Sequence, residues 1–209
     1  MRVLAILFCL LAATSALARG EKSGDFDYYV LALSWSPTWC ALEGDARDAE
    51  QCETDLGWSL HGLWPQYDRG WPSYCPSVER NPSRAMTAEM TDIMGSSGLA
   101  WHQWNKHGTC TGDSAATYYE NSRWAYDQIN RPQVFRQLDR SVKIPASLVE
   151  EAFLKENPDL KPDMLTVTCK DGRIQEVRIC LSKGFVPTFC TGSVARDCGL
   201  EDALFDPVR

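Results

Sequence analysis

The chain has 209 residues and a formal net charge of −7, from 21 Lys and Arg against 28 Asp and Glu. Such an acidic chain lacks a broad basic face, which excludes tight, sequence-indifferent gripping of nucleic acid but not an enzyme with a local cationic pocket. There is no internal repeat, low-complexity tract or Pro/Gly/Ser linker, and the length suits one domain.

In chain order, Arg2, an apolar run from Val3 to Ala13 and Ala16-Leu17-Ala18 read as a signal peptide over residues 1–18. The expected mature domain is 19–209, exported to a periplasmic or extracellular location. No later stretch approaches the roughly 20 apolar residues of a membrane-spanning helix. Loss of Arg2 leaves 20 basic against 28 acidic residues, a net charge of about −8. Cys9 leaves with the peptide, and the remaining eight cysteines form an even set that reads as a disulfide framework. No CxxC pair is present, which argues against a zinc ribbon.

FDYYVLALSW, Phe26 to Trp35, is rich in aromatic and branched residues and stops at Ser36-Pro37, as a buried strand does. A helix is expected over Thr87 to Met94, ended by Gly95. Ser114 caps another that runs to about Asn130, Pro132 opens the first turn of a third, and Ser147 with Glu150 forms a capping box ahead of Val149, Phe153 and Leu154. Met164 to Leu181 reads as a hairpin around a turn at Lys170-Asp171-Gly172-Arg173, with Val177, Ile179 and Leu181 alternating. Segregated strands and helices make the class α+β, a single domain with a central antiparallel sheet and several packed helices.

His61, His102 and His107 are the only histidines, and they sit in two tryptophan-rich segments, WSLHGLWPQ (Trp58 to Gln66) and WHQWNKHGTC (Trp101 to Cys110). Histidine both takes and gives a proton near neutral pH, so this concentration points to acid–base chemistry. Three imidazoles can also hold a catalytic zinc. Against that, the spacing of five puts His102 and His107 on different faces of a helix, no HExxH motif is present, and Lys106 repels a divalent cation. No metal or other cofactor is expected. RNA carries its own nucleophile, the 2′-hydroxyl. A base to deprotonate it, an acid to protonate the departing 5′-oxygen and cations for the phosphorane complete the reaction, and three histidines with Lys106 supply that set.

HGLWP at His61 to Pro65 and W-x-KHG-x-C from Trp104 to Cys110 resemble the two active-site segments of the ribonuclease T2 family, and FDYYVLALSWSPTWC resembles its first strand and following cysteine. The likeness is strongest from Phe26 to Cys110. It implies an endoribonuclease acting on single-stranded RNA, leaving 2′,3′-cyclic phosphate ends with little sequence specificity. It further implies His61 as general acid, His107 as general base, His102 as a phosphate-binding residue and Lys106 as the cation that stabilises the transition state. The residues alone do not say which of His61 and His107 is acid and which is base.

The family's usual glutamate after the first histidine of the second segment is Gln103 here, which keeps a hydrogen-bonding tip without a charge and is expected to contact a phosphate oxygen in a positioning role. Trp64 matches a base-stacking aromatic, a contact worth roughly 1–3 kcal/mol. Gln66 stands where some members read the base; Tyr67 and Trp71 are candidate substrate-binding residues that with Tyr74 could extend the platform, although each alone reads more readily as structural or merely exposed. The implied disulfides are Cys40 with Cys52, Cys75 with Cys110, Cys169 with Cys198 and Cys180 with Cys190. RNA is the expected partner of a monomer with no obligate protein partner, and a bell-shaped, mildly acidic pH profile is expected. The competing readings are a secreted recognition protein that keeps the fold, and a metallohydrolase.

Overall fold

The computed structural model describes residues 21–209, so the signal-peptide reading of residues 1–18 lies outside the described residues. The chain runs through β1 (Tyr28–Trp35), α1 (Ser36–Trp39), β2 (Trp58–Gln66), α2 (Arg84–Ala88), α3 (Thr91–Met94), α4 (Ser97–Lys106) and α5 (Ala115–Gln128). It continues with β3 (Val142–Ile144), α6 (Ala146–Glu156), β4 (Leu165–Lys170), β5 (Arg173–Leu181) and β6 (Ala203–Phe205). The architecture is α+β. The sheet order is β2-β1-β5-β6-β3, with β4 also paired to β5. All pairings are antiparallel except a single parallel contact, Arg173 with Leu204, between β5 and β6. Among the described residues no helix is long and apolar enough to cross a membrane.

β1 is central and buried on both faces, which explains its near-continuous apolar run. Tyr29, Leu31, Leu33 and Trp35 enter the main core, where Trp35 and Trp58 pack with Phe135 and Phe205. Tyr28 and Val30 face the other way and form a smaller apolar cluster with Cys180 and Val194, beneath Trp64.

α5 follows from its stripe of Ala115, Tyr118, Tyr119, Ser122, Ala125 and Tyr126, all buried. Ser114 caps it by accepting a hydrogen bond from the Thr117 N–H. Its tyrosines are both core and clamp. Tyr118 and Tyr126 donate to the Leu63 and Trp58 carbonyls of β2, at 3.1 and 2.9 Å, and Tyr119 donates to the Ala100 carbonyl of α4 at 2.9 Å. One helix thereby fixes β2 relative to α4, the two elements that carry the histidines.

Three local expectations are corrected. The helix expected over Thr87–Met94 is two short ones: Thr87 and Thr91 bond back to the Arg84 and Ala88 carbonyls, and between the two helices the Met90 N–H closes a tighter turn on the Thr87 carbonyl. Gly95, at φ +82°, closes the second as expected. Ser147 does not cap α6. The helix starts two residues earlier, at Ala146 after Pro145, and the Ala146 N–H bonds the Leu200 carbonyl at 2.9 Å, so tertiary structure replaces a side-chain cap. Pro132 precedes a 3-10 segment, Gln133–Gln137, and stands outside its first turn. β2, β3 and β6 were not expected as strands.

Four disulfides join Cys40–Cys52, Cys75–Cys110, Cys169–Cys198 and Cys180–Cys190. Cys75–Cys110 spans 35 residues and holds the segment after β2 to the end of α4. Closing a loop of that length restricts the unfolded chain by about 3–4 kcal/mol. The double variant Cys75→Ser/Cys110→Ser is expected to lose about that much stability in urea unfolding, whereas a loss below about 1 kcal/mol would mean that the surrounding packing already fixes this junction.

Candidate active site

The backbone at His61 decides which side chains of β2 reach the site. Ala32 pairs with Gly62 but Leu33 pairs with Leu60, so His61 is the extra residue of a β-bulge. Strict alternation would send Leu60, Gly62 and Trp64 to one face and His61 with Leu63 to the other. The bulge shifts the phase: Leu60 and Leu63 both enter the core, and His61 and Trp64 both face the opposite side. Gly62 is required at this point. A Cβ there would lie 2.3 Å from Gln103 Oε1 and 2.5 Å from Trp64 Nε1.

α4 lies against β2 and supplies the second segment. Ser96 caps it, Ala100 and Trp104 bury its inner face, and His107 is its C-cap residue at φ −119°. His102 and Lys106, and likewise Gln103 and His107, are four apart and therefore neighbours on one helix face. His102 and His107, five apart, nevertheless both line one cavity of about 300 Å³, with His61, Trp64, Gln66, Trp71, Gln103 and Lys106. β5 completes it with Gln175, Glu176 and Arg178. Just beyond the helix, a Cβ at Gly108 would lie 2.4 Å from the buried Trp104 ring, so glycine is what lets the chain pass this close to that ring.

Trp64 stands between the two imidazoles. Its ring lies 5.3 Å from His107 at 26°, in a stacked contact, and 5.0 Å from His61 at 81°, edge to face. The Arg178 guanidinium is 5.4 Å from its centroid. Its indole N–H donates to Gln103 Oε1 at 2.7 Å. Gln103 is 1% exposed and lines the cavity; its carbonyl oxygen holds the indole, and only its amide N–H groups could donate to a phosphate oxygen. With one face taken by an imidazole, Trp64 has the place of a spacer. Trp71, half exposed beside the cavity, is the open ring. Gln66 is buried and donates to the Pro65 carbonyl. Tyr67 packs against the main core and does not line the cavity, and Tyr74 is exposed with its backbone N–H on the Lys106 carbonyl, so neither extends a platform there.

Glu176 and Arg178 were not anticipated. Their signal was present, since they alternate with Val177 and Ile179 on β5, but a charged strand face reads as solvent-facing when the second cluster covering it is unseen. Glu176 is 1% exposed. Its Oε1 lies 2.5 Å from His61 Nδ1, and its Oε2 accepts from Arg178 Nε at 2.9 Å and Nη2 at 2.7 Å.

The titratable groups separate by environment. Burial opposes ionisation of Glu176, but the His61 hydrogen bond and the His61 and Arg178 charges outweigh it and bring the carboxyl down to about 2. An ionised carboxylate only accepts, so His61 Nδ1 carries the proton and Nε2 is the nitrogen left for chemistry. His107 is pushed down to about 3, first by burial and then by the charges of Lys106, His61 and His102. His102 is lowered by the same kinds of cause, burial ahead of Lys106 and His61. Among the described residues the histidines do not converge as a metal set. The one His/Cys/Asp/Glu group with ligand atoms within 4.8 Å of one another is Cys40, Asp45 and Cys52, whose cysteines form a disulfide.

Two predictions arise from this packing. Between pH about 6.5 and about 3 the unfolded chain binds the proton that folded His107 refuses, so stability falls as pH drops through that window. The urea midpoint is expected to decline below pH 6.5 and to decline less steeply in His107→Gln; identical slopes would contradict a neutral, buried His107. Gly62→Ala is expected to cost about 1–3 kcal/mol through overpacking and to change the near-ultraviolet dichroism of Trp64. An unaltered spectrum would mean that Gln103 and Trp64 give way freely.

The sequence profile of the ribonuclease T2 family matches residues 26–198. A ribonuclease of Aeromonas hydrophila is 44% identical over 122 residues, which cover 57% of this chain and 54% of that protein, so the match spans about half the length of the relative. Among solved structures, an RNase-related protein from Calystegia sepium superposes with a TM-score of 0.68 at 20% identity, over 87% of this chain and 99% of the other. RNase NT, solved in complex with 5′-AMP, superposes with a TM-score of 0.58 at 19% identity, over 88% of this chain and 99% of its own. At such identities the structural likeness speaks for the fold, and the profile match over most of the sequence speaks for descent: the chain belongs to the ribonuclease T2 family.

Proposed function

We propose that this protein is a secreted endoribonuclease that cleaves single-stranded RNA by metal-free transesterification, leaving 2′,3′-cyclic phosphate and 5′-hydroxyl ends. The observation that carries the reading is the placement of His61 and His107 against the same indole, with Lys106, His102 and Arg178 lining one cavity. Two imidazoles with cations lining the same cavity are what an in-line displacement at phosphorus needs.

In the reaction His107 takes the 2′-hydroxyl proton as O2′ attacks phosphorus. The P–O5′ bond breaks, and His61 gives its proton to the departing O5′. Lys106 and His102 meet the charge that accumulates on the non-bridging oxygens. Electrostatics favour this assignment of roles over the reverse: His107 is buried among cations and held neutral, and His61 has a carboxylate in contact. The phosphate offsets the surrounding positive charge as it binds and raises the basicity of His107. Trp64 keeps the imidazoles apart, Gln103 keeps Trp64 in place, and Trp71 offers a ring for a base.

A second cavity of about 240 Å³, lined by Trp39, Gln51, Ser96 and Leu99 among others, meets the first at His61, Gln175 and Glu176. A cavity on each side of His61 suits an endonuclease, because both nucleotides flanking the scissile bond then have a place. Capture of a nucleotide in RNase NT accords with RNA as the partner here. The disulfides suit an oxidising location outside the cytoplasm, and a monomer suffices because the site is built from one chain.

The test is cleavage of single-stranded RNA at pH 5 to 6 in excess EDTA, with product ends read by mass spectrometry and DNA of the same sequence as control. Cyclic phosphate ends are expected, DNA should remain intact, and His107→Ala should lower kcat/KM by about 10²- to 10⁴-fold. The rate should fall in acid as His107 takes a proton and in alkali as the acid loses one. Cleavage abolished by EDTA, or an optimum above pH 8, would overturn the mechanism.

A further inference from the structure

The two histidine segments contain no carboxylate, and among the described residues lining the histidine cavity the sole acidic side chain is Glu176, delivered from β5. A bulge delivers it: Thr168 pairs with Glu176 but Cys169 with Ile174, so Gln175 is the extra residue. Ile174 and Val177 both enter the core, and Glu176 with Arg178 faces the site.

The way its oxygens are shared separates this carboxylate from an ordinary buried ion pair. A fork-to-fork pair would set two guanidinium N–H groups on two oxygens. Arg178 instead puts both Nε and Nη2 on Oε2, which leaves Oε1 to His61 Nδ1, with Ser34 Oγ at 3.3 Å. Removing a carboxylate from water costs several kcal/mol, and Arg178 offsets part of that cost while turning the other oxygen to the imidazole.

We propose that Glu176 is the positioning residue for His61: it fixes the Nδ1–H tautomer, leaves Nε2 to meet the leaving oxygen, and supplies the counter-charge for the imidazolium that gives up its proton. Arg178 holds Glu176 in that orientation. The other charged groups around His61 are His102, Lys106 and His107 from α4 and its cap, and the ion pair of Glu43 with Lys170 in the adjoining cavity. The first set is cationic and Glu43 is engaged by Lys170, so Glu176 is the anion that His61 contacts. The proposal rests on the ribonuclease reading above and adds to it a residue outside the two histidine segments.

The experiment compares the wild type, Glu176→Gln and His61→Ala with the double variant. Glu176→Gln is expected to lower kcat by about 10- to 100-fold with KM within about threefold, as for loss of a group that orients a catalytic histidine. The alkaline limb of its pH profile should move to lower pH. In the His61→Ala background the same change should alter residual cleavage by less than about twofold, because the two residues act as one unit. Equal fold losses in both backgrounds, or a wild-type pH profile in Glu176→Gln, would overturn the proposal.

Nitrogen-15 spectra of the wild-type imidazoles need no variant to fold. His61 should show Nδ1–H bonded and Nε2 free when neutral, and the opposite tautomer would refute the role. If wild-type protein fails to cleave RNA, the ribonuclease reading falls, while these spectra still report separately on the contact between Glu176 and His61.

Discussion

One extra residue in β2 governs the site. The bulge at His61 is what allows Leu60 and Leu63, three apart, both to be core residues while His61 and Trp64, also three apart, both face the cavity. A regular strand cannot do this with period two. The bulged backbone is then held from behind, where Tyr118 and Tyr126 of α5 bond the carbonyls of Leu63 and Trp58 on either side of it. The second bulge, at Gln175 on β5, solves the same problem from the other side of β1 and brings Glu176 and Arg178 to the face where His61 emerges. Two irregularities flanking one regular strand thus assemble chemistry on a sheet whose opposite face is an aromatic core.

The same packing makes two chemically identical side chains unequal. His107, at the end of α4, is stacked on Trp64 and surrounded by positive charge, which keeps its imidazole neutral. His61, on the far side of the indole, is half-buried with a buried carboxylate at its Nδ1. Trp64 is a wall as well as a neighbour, and Gln103 fixes that wall through the indole N–H. An uncharged amide at position 103 suits this task, since it accepts the bond without bringing a second anion close to His107.

This arrangement has a cost in stability. A neutral histidine and an ionised carboxylate, both buried, favour folding less and less as pH falls, and the proposed reaction belongs to mildly acidic conditions. The disulfides offset that trend independently of pH. Cys75–Cys110 ties the loop after β2 to the end of α4, and Cys180–Cys190 lies in the small apolar cluster under Trp64. Covalent links are thus placed at the two junctions where the site's elements meet.

The sequence alone determined the class of the fold, the strand at Phe26 to Trp35, the hairpin around Asp171-Gly172 and the helix capped by Ser114, because each is written in local periodicity and turn chemistry. It also marked His61, His102, Lys106 and His107, because rare residue types clustered in two short segments. It did not disclose β2 as a strand, since a bulge breaks the alternation by which strands are recognised. It also gave Glu176 no role, because a charged residue between Val177 and Ile179 reads as solvent-facing until β1, β2 and the Cys180 cluster cover it. The assignment of acid and base was likewise beyond it. Protonation depends on burial and on charges brought near through space, and only the tertiary structure sets His107 among cations and His61 against a carboxylate 115 residues away.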